Sequence, residues 1–170
     1  MVDVQVPRTV LGFDFGRVRI GIAVGQELTA TASPLPAVMT RNQQPDWLAI
    51  SRYITQWQPD LLVVGLPYQA DGTPSAITQA ALSFSQQLFQ RYQRPVETID
   101  ERLSSQEAEY RLLQTDGVGR RKRRAKGARD SLAAALILES WFNHRCRDQG
   151  QSRVATEPLF HVASLPNSDL

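Results

Sequence analysis

The chain has 170 residues, 42% hydrophobic and 21% charged, with a formal net charge of +2. That length and balance describe one globular domain with a sizeable core, and no apolar run approaches the roughly 18–20 residues that spanning a bilayer requires. One cysteine, Cys146, cannot close an internal disulfide, and with only two histidines beside it the chain is poor material for a structural zinc site.

The opening Met1-Val-Asp-Val-Gln-Val-Pro7 has no basic region followed by an apolar core, so no secretory signal is expected, and a reducing, cytoplasmic setting is. Residues 9–15 predict a buried strand and residues 19–25 a second. The short Phe15-Gly16-Arg17-Val18 link joins them as a hairpin. Ser33 to Met39 is a third strand, held to an edge or an irregular start by Pro34 and Pro36.

The period then changes. Trp47, Ile50, Ile54 and Trp57 recur at helical spacing, with Pro45-Asp46 as a start and Pro59 as a stop. Leu61 to Val64 is a short, all-apolar strand of the kind buried on both faces of a parallel sheet. Thr73-Pro74 predicts the cap and first residue of a helix whose face is Ile77, Ala80, Ala81, Phe84 and Leu88. Val96 to Ile99 is the next strand. Ser104 to Glu107 has capping-box spacing and opens a helix to about Leu113. Residues 114–128 read as a basic loop, and Asp130 to Phe142 as the last helix.

The order is three strands, then helix–strand–helix–strand–helix–helix. The hairpin start implies antiparallel pairing and the later alternation implies parallel pairing through right-handed crossovers. The expected class is therefore α/β, with a mixed five-stranded sheet flanked by helices over residues 1–145. Residues 146–170, polar and proline-containing, are expected to be a loose tail.

The charge is unevenly placed. Residues 120–129 hold seven cations (Arg120, Arg121, Lys122, Arg123, Arg124, Lys126 and Arg129) and no acid, which leaves 12 basic against 17 acidic residues elsewhere, a net of −5. A local cluster of that kind suits a polyanion; the plainer reading is a solvated loop.

Three acidic sites stand where strands end or a helix begins: Asp14, Asp100-Glu101 and Asp130. Carboxylates so placed can converge from distant parts of the chain and hold Mg²⁺ or Mn²⁺, the chemistry of phosphodiester cleavage. Asp14 could instead cap its turn. Asp130 shares a helical face with Ala133, Ala134 and Ile137, so its carboxylate faces the sheet; an acid that only served the helix N-terminus would not need that face. Asp100 and Glu101 point to opposite faces if the strand runs through both, and either could pair with Arg102 or Arg19 instead. Glu97 suits a strand surface or an ion pair.

Five blocks in order resemble the YqgF/RuvX family, Holliday-junction-resolvase-like proteins described as pre-16S rRNA nucleases. They are Leu11-Gly-Phe-Asp-Phe-Gly-Arg-Val-Arg-Ile-Gly-Ile-Ala-Val, Thr31-Ala-Ser-Pro-Leu, Val64-Gly-Leu-Pro-Tyr-Gln-Ala-Asp-Gly-Thr, Asp100-Glu-Arg-Leu-Ser-Ser-Gln-Glu-Ala-Glu and Asp130-Ser-Leu-Ala-Ala-Ala-Leu-Ile-Leu. The resemblance implies a ribonuclease-H-like fold and a divalent-metal nuclease on structured nucleic acid, in ribosomal RNA maturation, junction resolution or both. It implies Asp14, Glu101 and Asp130 as metal-binding acids, with Asp100 the alternative middle ligand. Arg17, Arg19 and Arg102 fall in matching motifs, as contacts to phosphate or as groups that orient the acids. Gly65 and Gly72 would supply close approach or tight turns. Two departures stand out: Arg129 occupies a position where an apolar residue is usual, and the strand at 61–64 brings no carboxylate, unlike classical resolvases, whose middle acid comes from that strand; the resemblance implies that this acid arrives later, in Asp100-Glu101-Arg102.

Two other readings use the same residues. A nucleic-acid-binding rRNA maturation factor without nuclease activity would need only the fold and the basic stretch. A phosphotransferase of the actin and sugar-kinase type shares the Asp14-Phe-Gly16 hairpin but needs two such lobes, and this sequence has no internal repeat. A junction substrate, being two-fold symmetric, would favour a homodimer.

Overall fold

The computed structural model describes residues 6–103 and 125–150, with side chains placed from Asp130 to Arg147 in the second stretch. The strands are β1 (Thr9–Asp14), β2 (Arg19–Gln26), β3 (Thr31–Arg41), β4 (Gln44–Pro45), β5 (Leu61–Leu66) and β6 (Val96–Asp100). They form one sheet in the order β4-β3-β2-β1-β5-β6. β1 to β4 pair antiparallel as an extended meander, and β5 and β6 add in parallel beyond β1. The sheet is thus mixed, as expected, but has six strands instead of five. The extra one is β4. Asn42 and Gln43 both take positive φ, 50° and 61°, which turns the chain back so that Gln44 and Pro45 pair with Arg41 and Thr40. Two residues are too few to show an alternation in sequence.

The prolines of β3 fall where anticipated. Between Ile20–Val38 and Ile22–Leu35 the register shifts, so Pro36 and Ala37 together oppose Gly21 in a bulge.

Helix α1 (Trp47–Trp57) begins as the sequence indicates. Asp46 accepts the Ala49 N–H at 3.2 Å, Ile50 and Ile54 are buried, and Gln58 in the left-handed region ends the helix before Pro59. Helix α2 (Ala76–Tyr92) starts later than Thr73-Pro74 suggests. Pro74 forms a bridge with Tyr68, and the Thr73 N–H and hydroxyl both donate to Asp71. Those contacts claim Thr73 and Pro74 for the preceding loop, and Ser75 with Thr78 forms the capping box instead.

The last helix, α3 (Ala125–Gly150), extends past both of its predicted ends. Ala125, Lys126, Ala128 and Arg129 are strong helix formers that outweigh the single Gly127 among them, and no proline interrupts the run, so the basic stretch runs into the helix. Asp130 therefore lies in the second turn, not at the helix start. The helix also continues beyond residue 145 to Gly150. The helix predicted at Ser104–Leu113, the cations at 120–124 and residues 151–170 lie outside the described residues. Among the described residues no helix is long and apolar enough to cross a membrane.

Strand alternation divides the core. Leu11, Phe13, Ile20, Ile22, Val24, Leu62 and Val64 face Ile50 and Ile54 of α1 and Phe84 and Leu88 of α2. Val10, Ala23, Leu61, Val63 and Ile99 face Ala134, Ile137, Leu138, Trp141 and Phe142 of α3. On the α3 side, β2 presents only Gly21, Ala23 and Gly25. A Cβ on Gly25 would stand 2.8 Å from Leu138 Cδ2 and Phe142 Cε2, so this narrow stripe is what lets α3 lie close on the sheet.

Candidate active site

Asp14 is the last residue of β1 and follows Val10 and Gly12 on the face covered by α3. In the sheet it stands between two glycines, paired with Gly21 of β2 and with Gly65 of β5. Each glycine leaves space that a different acid-bearing segment fills.

A Cβ on Gly21 would lie 1.9 Å from the Asp130 carbonyl oxygen and 2.9 Å from the Ser131 nitrogen. The turn of α3 that carries Asp130 therefore rests directly on β2. Ser131, itself buried, accepts the Ile22 N–H at 3.5 Å where the β-bulge disturbs the β2–β3 ladder. Asp130 is half-buried, on the face it shares with buried Ala134 and Ile137, as its spacing indicates.

Gly65 serves the third acid. A Cβ there would lie 2.7 Å from Glu101 Oε1, 2.9 Å from its Cγ and 2.6 Å from Ile137 Cδ1. The Glu101 side chain thus lies across Gly65 and reaches Asp14, with which it shares a side-chain hydrogen bond. Asp100 points the other way. It sits one residue earlier, at the end of β6, and pairs with Arg102. Parity along the strand separates the two: Ile99 packs under α3 and Glu97 bonds to Trp141 and Arg145 of α3, so Asp100 takes the opposite side.

The two acids in contact hold their protons tightly. Burial pushes the Asp14 carboxyl up from 3.8 to about 6, helped by the negative charge of Asp130 and opposed by the hydrogen bond from Glu101. Burial also raises Glu101 from 4.5 to about 8, reinforced by the charge of Asp14, their shared hydrogen bond and the charge of Asp100. Between about pH 4 and pH 8 the folded chain therefore binds protons that the unfolded chain has released, and stability must fall as pH rises. The carboxylates with lowered proton affinity, Glu27, Asp71 and Asp100, act in the opposite sense but only toward more acid pH. We expect metal-free protein to lose about 3 kcal/mol or more between pH 5 and pH 8. Urea unfolding at the two pH values checks this, and equal or greater stability at pH 8 would contradict the burial of the pair.

The donors here are carboxylate oxygens only, a set that suits a hard divalent cation such as Mg²⁺ or Mn²⁺. Among the described residues, no three potential ligands close around one point as the side chains stand. Asp14 and Glu101 are in contact, and Asp130 acts on Asp14 through its charge. A cation between the first two would offset the cost of burying their charge, which is the main cause of their raised proton affinity.

The predicted arginines divide. Arg17 is exposed on the turn that follows Asp14, Arg19 is half-buried at the start of β2, and Arg102 is committed to Asp100. Glu97 forms the anticipated ion pair, with Arg145 at 3.0 Å. The predicted sites Arg120 to Arg124 are outside the described residues, and Lys126 and Arg129 are placed as backbone in α3. Sequence reasoning missed Gly21. Its signal was present in β2, where Gly21, Ala23 and Gly25 alternate with Ile20, Ile22 and Val24.

The model of the RuvX family, described as Holliday junction resolvase, matches residues 8–144. A protein of Pseudoalteromonas translucida named "Putative pre-16S rRNA nuclease" is 48% identical over 138 residues, 81% of this chain and 91% of that protein. One of the same name from Glaesserella parasuis is also 48% identical, over 81% of this chain and 98% of its own length. Among solved structures, T. thermophilus RuvC in complex with Holliday junction substrate aligns with a TM-score of 0.50 at 20% identity, covering 86% of this chain and 98% of that one. The fold is accordingly ribonuclease-H-like. With a family match over residues 8–144, and relatives matched over nearly their whole length, this chain belongs to the RuvX family of Holliday junction resolvases.

Proposed function

We propose that the chain is a divalent-metal-dependent nuclease that cleaves phosphodiester bonds in structured nucleic acid. Its substrates would be precursor 16S rRNA, after which its relatives are named, or a four-way junction. Asp14, Glu101 and Asp130 are the acids that hold Mg²⁺ or Mn²⁺. The observation that carries this reading is the buried contact between Asp14 and Glu101 over Gly65.

A bound divalent ion supplies Lewis-acid stabilisation to a phosphoryl oxygen. The chain does the rest. Asp14 and Glu101 release protons as the ion is taken up, so binding tightens with pH. Arg17, beside Asp14, is free to approach a phosphate from solvent. The seven cations of residues 120–129 lead into the helix that bears Asp130, and so hold the flanking backbone near the acids without reading sequence. A junction would be cut by two copies of the chain, one for each symmetric strand, whereas a precursor RNA needs one.

A binding factor without catalysis would keep the basic stretch. It would gain nothing from carboxylates buried together where a polyanion must approach, and that pair favours catalysis. The deciding experiment incubates wild type and Asp14→Asn with junction DNA, single strands and precursor 16S rRNA, with and without Mg²⁺ or Mn²⁺. Metal-dependent cutting by wild type alone is expected. If wild type cuts no better than the variant, the binding-factor reading stands. In either case, neutralising Arg121, Arg123 and Arg124 should reduce the slope of log affinity against log salt by about 2 to 3.

A further inference from the structure

We propose that Asp100 and Arg102 are positioning residues, a clasp on either side of Glu101 that holds its carboxylate over Gly65 and beside Asp14. This makes Asp100 a support for the middle acid and not a metal ligand. The consequence for metal affinity rests on the function proposed above; the clasp itself rests on geometry.

Both oxygens of Asp100 are engaged. Its Oδ1 accepts the Arg102 backbone N–H at 2.9 Å, which closes a tight turn with Glu101 at its centre. The Arg102 side chain then returns to the same carboxylate: Nε lies 3.1 Å from Oδ1 and 2.9 Å from Oδ2, and Nη2 lies 2.6 Å from Oδ2. Three N–H groups of Arg102 thus converge on a carboxylate that offers about four lone-pair sites. Bidentate, charge-assisted pairs of this kind are also the stronger class of hydrogen bond.

The guanidinium is held from its other side as well. It lies over the Tyr68 ring, 5.7 Å from the centroid, and a Cβ on Gly72 would come within 3.0 Å of Nη1. Gly72 has φ +86°, in the region that favours glycine. The loop that carries Tyr68 and Gly72 is internally tied by Gln69 N–H to Thr73 O at 3.0 Å, Gly72 N–H to Gln69 O at 2.9 Å, and the Tyr68–Pro74 bridge. That loop leaves directly from β5, the strand that provides Gly65. Arg102 therefore ties the end of β6, which delivers Glu101, to the end of β5, over which Glu101 lies.

Charge alone and positioning predict opposite effects. Removing the Arg102 cation would, by Coulomb's law, favour a divalent ion nearby. Removing a positioning residue should weaken that ion about 10- to 100-fold, as loss of supporting contacts at metal sites does.

The test uses the full chain as wild type, Asp100→Ala, Asp100→Asn and Arg102→Ala, with thermal melts to show that each folds. The first readout is metal-free: the nuclear Overhauser effect between Glu101 Hγ and Gly65 Hα. It should be strong in wild type, lost in both alanine variants, and largely kept in Asp100→Asn, which retains an Oδ1 acceptor for the Arg102 N–H. Its persistence in folded Arg102→Ala would overturn the clasp. The second readout is Mn²⁺ binding by calorimetry, where Arg102→Ala should bind about 10-fold or more weakly; binding as tight as wild type or tighter would also overturn it. If wild type takes up no Mn²⁺ while the Overhauser effect behaves as expected, the metal reading fails and the clasp stands.

Discussion

Replacing Asp14 with asparagine should make the protein more stable and abolish its activity. The side chain is half-buried, paired with Gly21 and Gly65 positions that offer it no charged partner of opposite sign, and faced by two further acids. An amide of the same shape fills the site without ionising. At pH 8 the unfolded chain gains by ionising this acid and the folded chain gains less, so the variant should be more stable by about 2 kcal/mol. On the function proposed above, the same change removes one of the acids assigned to the metal. Loss of several kcal/mol of transition-state stabilisation corresponds to a fall in cleavage rate on the order of a thousandfold. Urea unfolding and single-turnover cleavage on the same preparation measure both. A destabilised variant at pH 8 would contradict the electrostatics, and an active one would contradict the role.

Gly21→Ala should be the most damaging single methyl group in the sheet. Its Cβ would lie 1.9 Å from the Asp130 carbonyl oxygen and 2.3 Å from the carbonyl carbon. Those are backbone atoms of a long helix, and no side-chain rotation relieves the overlap. α3 must move off β2, which disturbs the layer of Leu138, Trp141 and Phe142 and carries Asp130 away from Asp14. A cost of about 3 kcal/mol is expected, at the upper end for overpacking, together with loss of cleavage. Gly65→Ala provides the contrast. Its Cβ would meet Ile137 Cδ1 at 2.6 Å and Glu101 Oε1 and Cγ at 2.7 and 2.9 Å, all side-chain atoms and none of them backbone. It should cost about 1 kcal/mol in stability, because those side chains can turn away, yet lose activity as Glu101 is displaced. Thermal melts of the two variants distinguish these cases, and a Gly21→Ala protein that melts like wild type would show that α3 does not bear on β2.

Much of this site is legible in the residues. The alternation through Val10, Gly12 and Asp14 and the helical spacing of Asp130, Ala134 and Ile137 are enough to turn two acids toward one another. The choice between Asp100 and Glu101 is not legible, because β6 reads Val-Glu-Thr-Ile-Asp and neither face is plainly apolar. Only the contacts of Glu97 and Ile99 with α3 show which parity points to the site. The start of α2 differs from its sequence signal because Thr73-Pro74 is a good local cap, while the contact that overrides it, the bridge to Tyr68, belongs to the loop as a whole. The start of α3 differs for a related reason: a run of cations suggests a solvated loop, yet alanine, lysine and arginine also favour a helix.

If Asp14 and Glu101 are held together to bind a divalent ion, crystals soaked in Mn²⁺ at pH 8, with data collected at the manganese edge, test it most directly. The expected anomalous peak lies between the two carboxylates, about 2 Å from an oxygen of each, and is lost in Asp14→Asn. A wild-type map at saturating Mn²⁺ with no peak there, or with the only peak on acids outside this pair, would contradict that role for the pair.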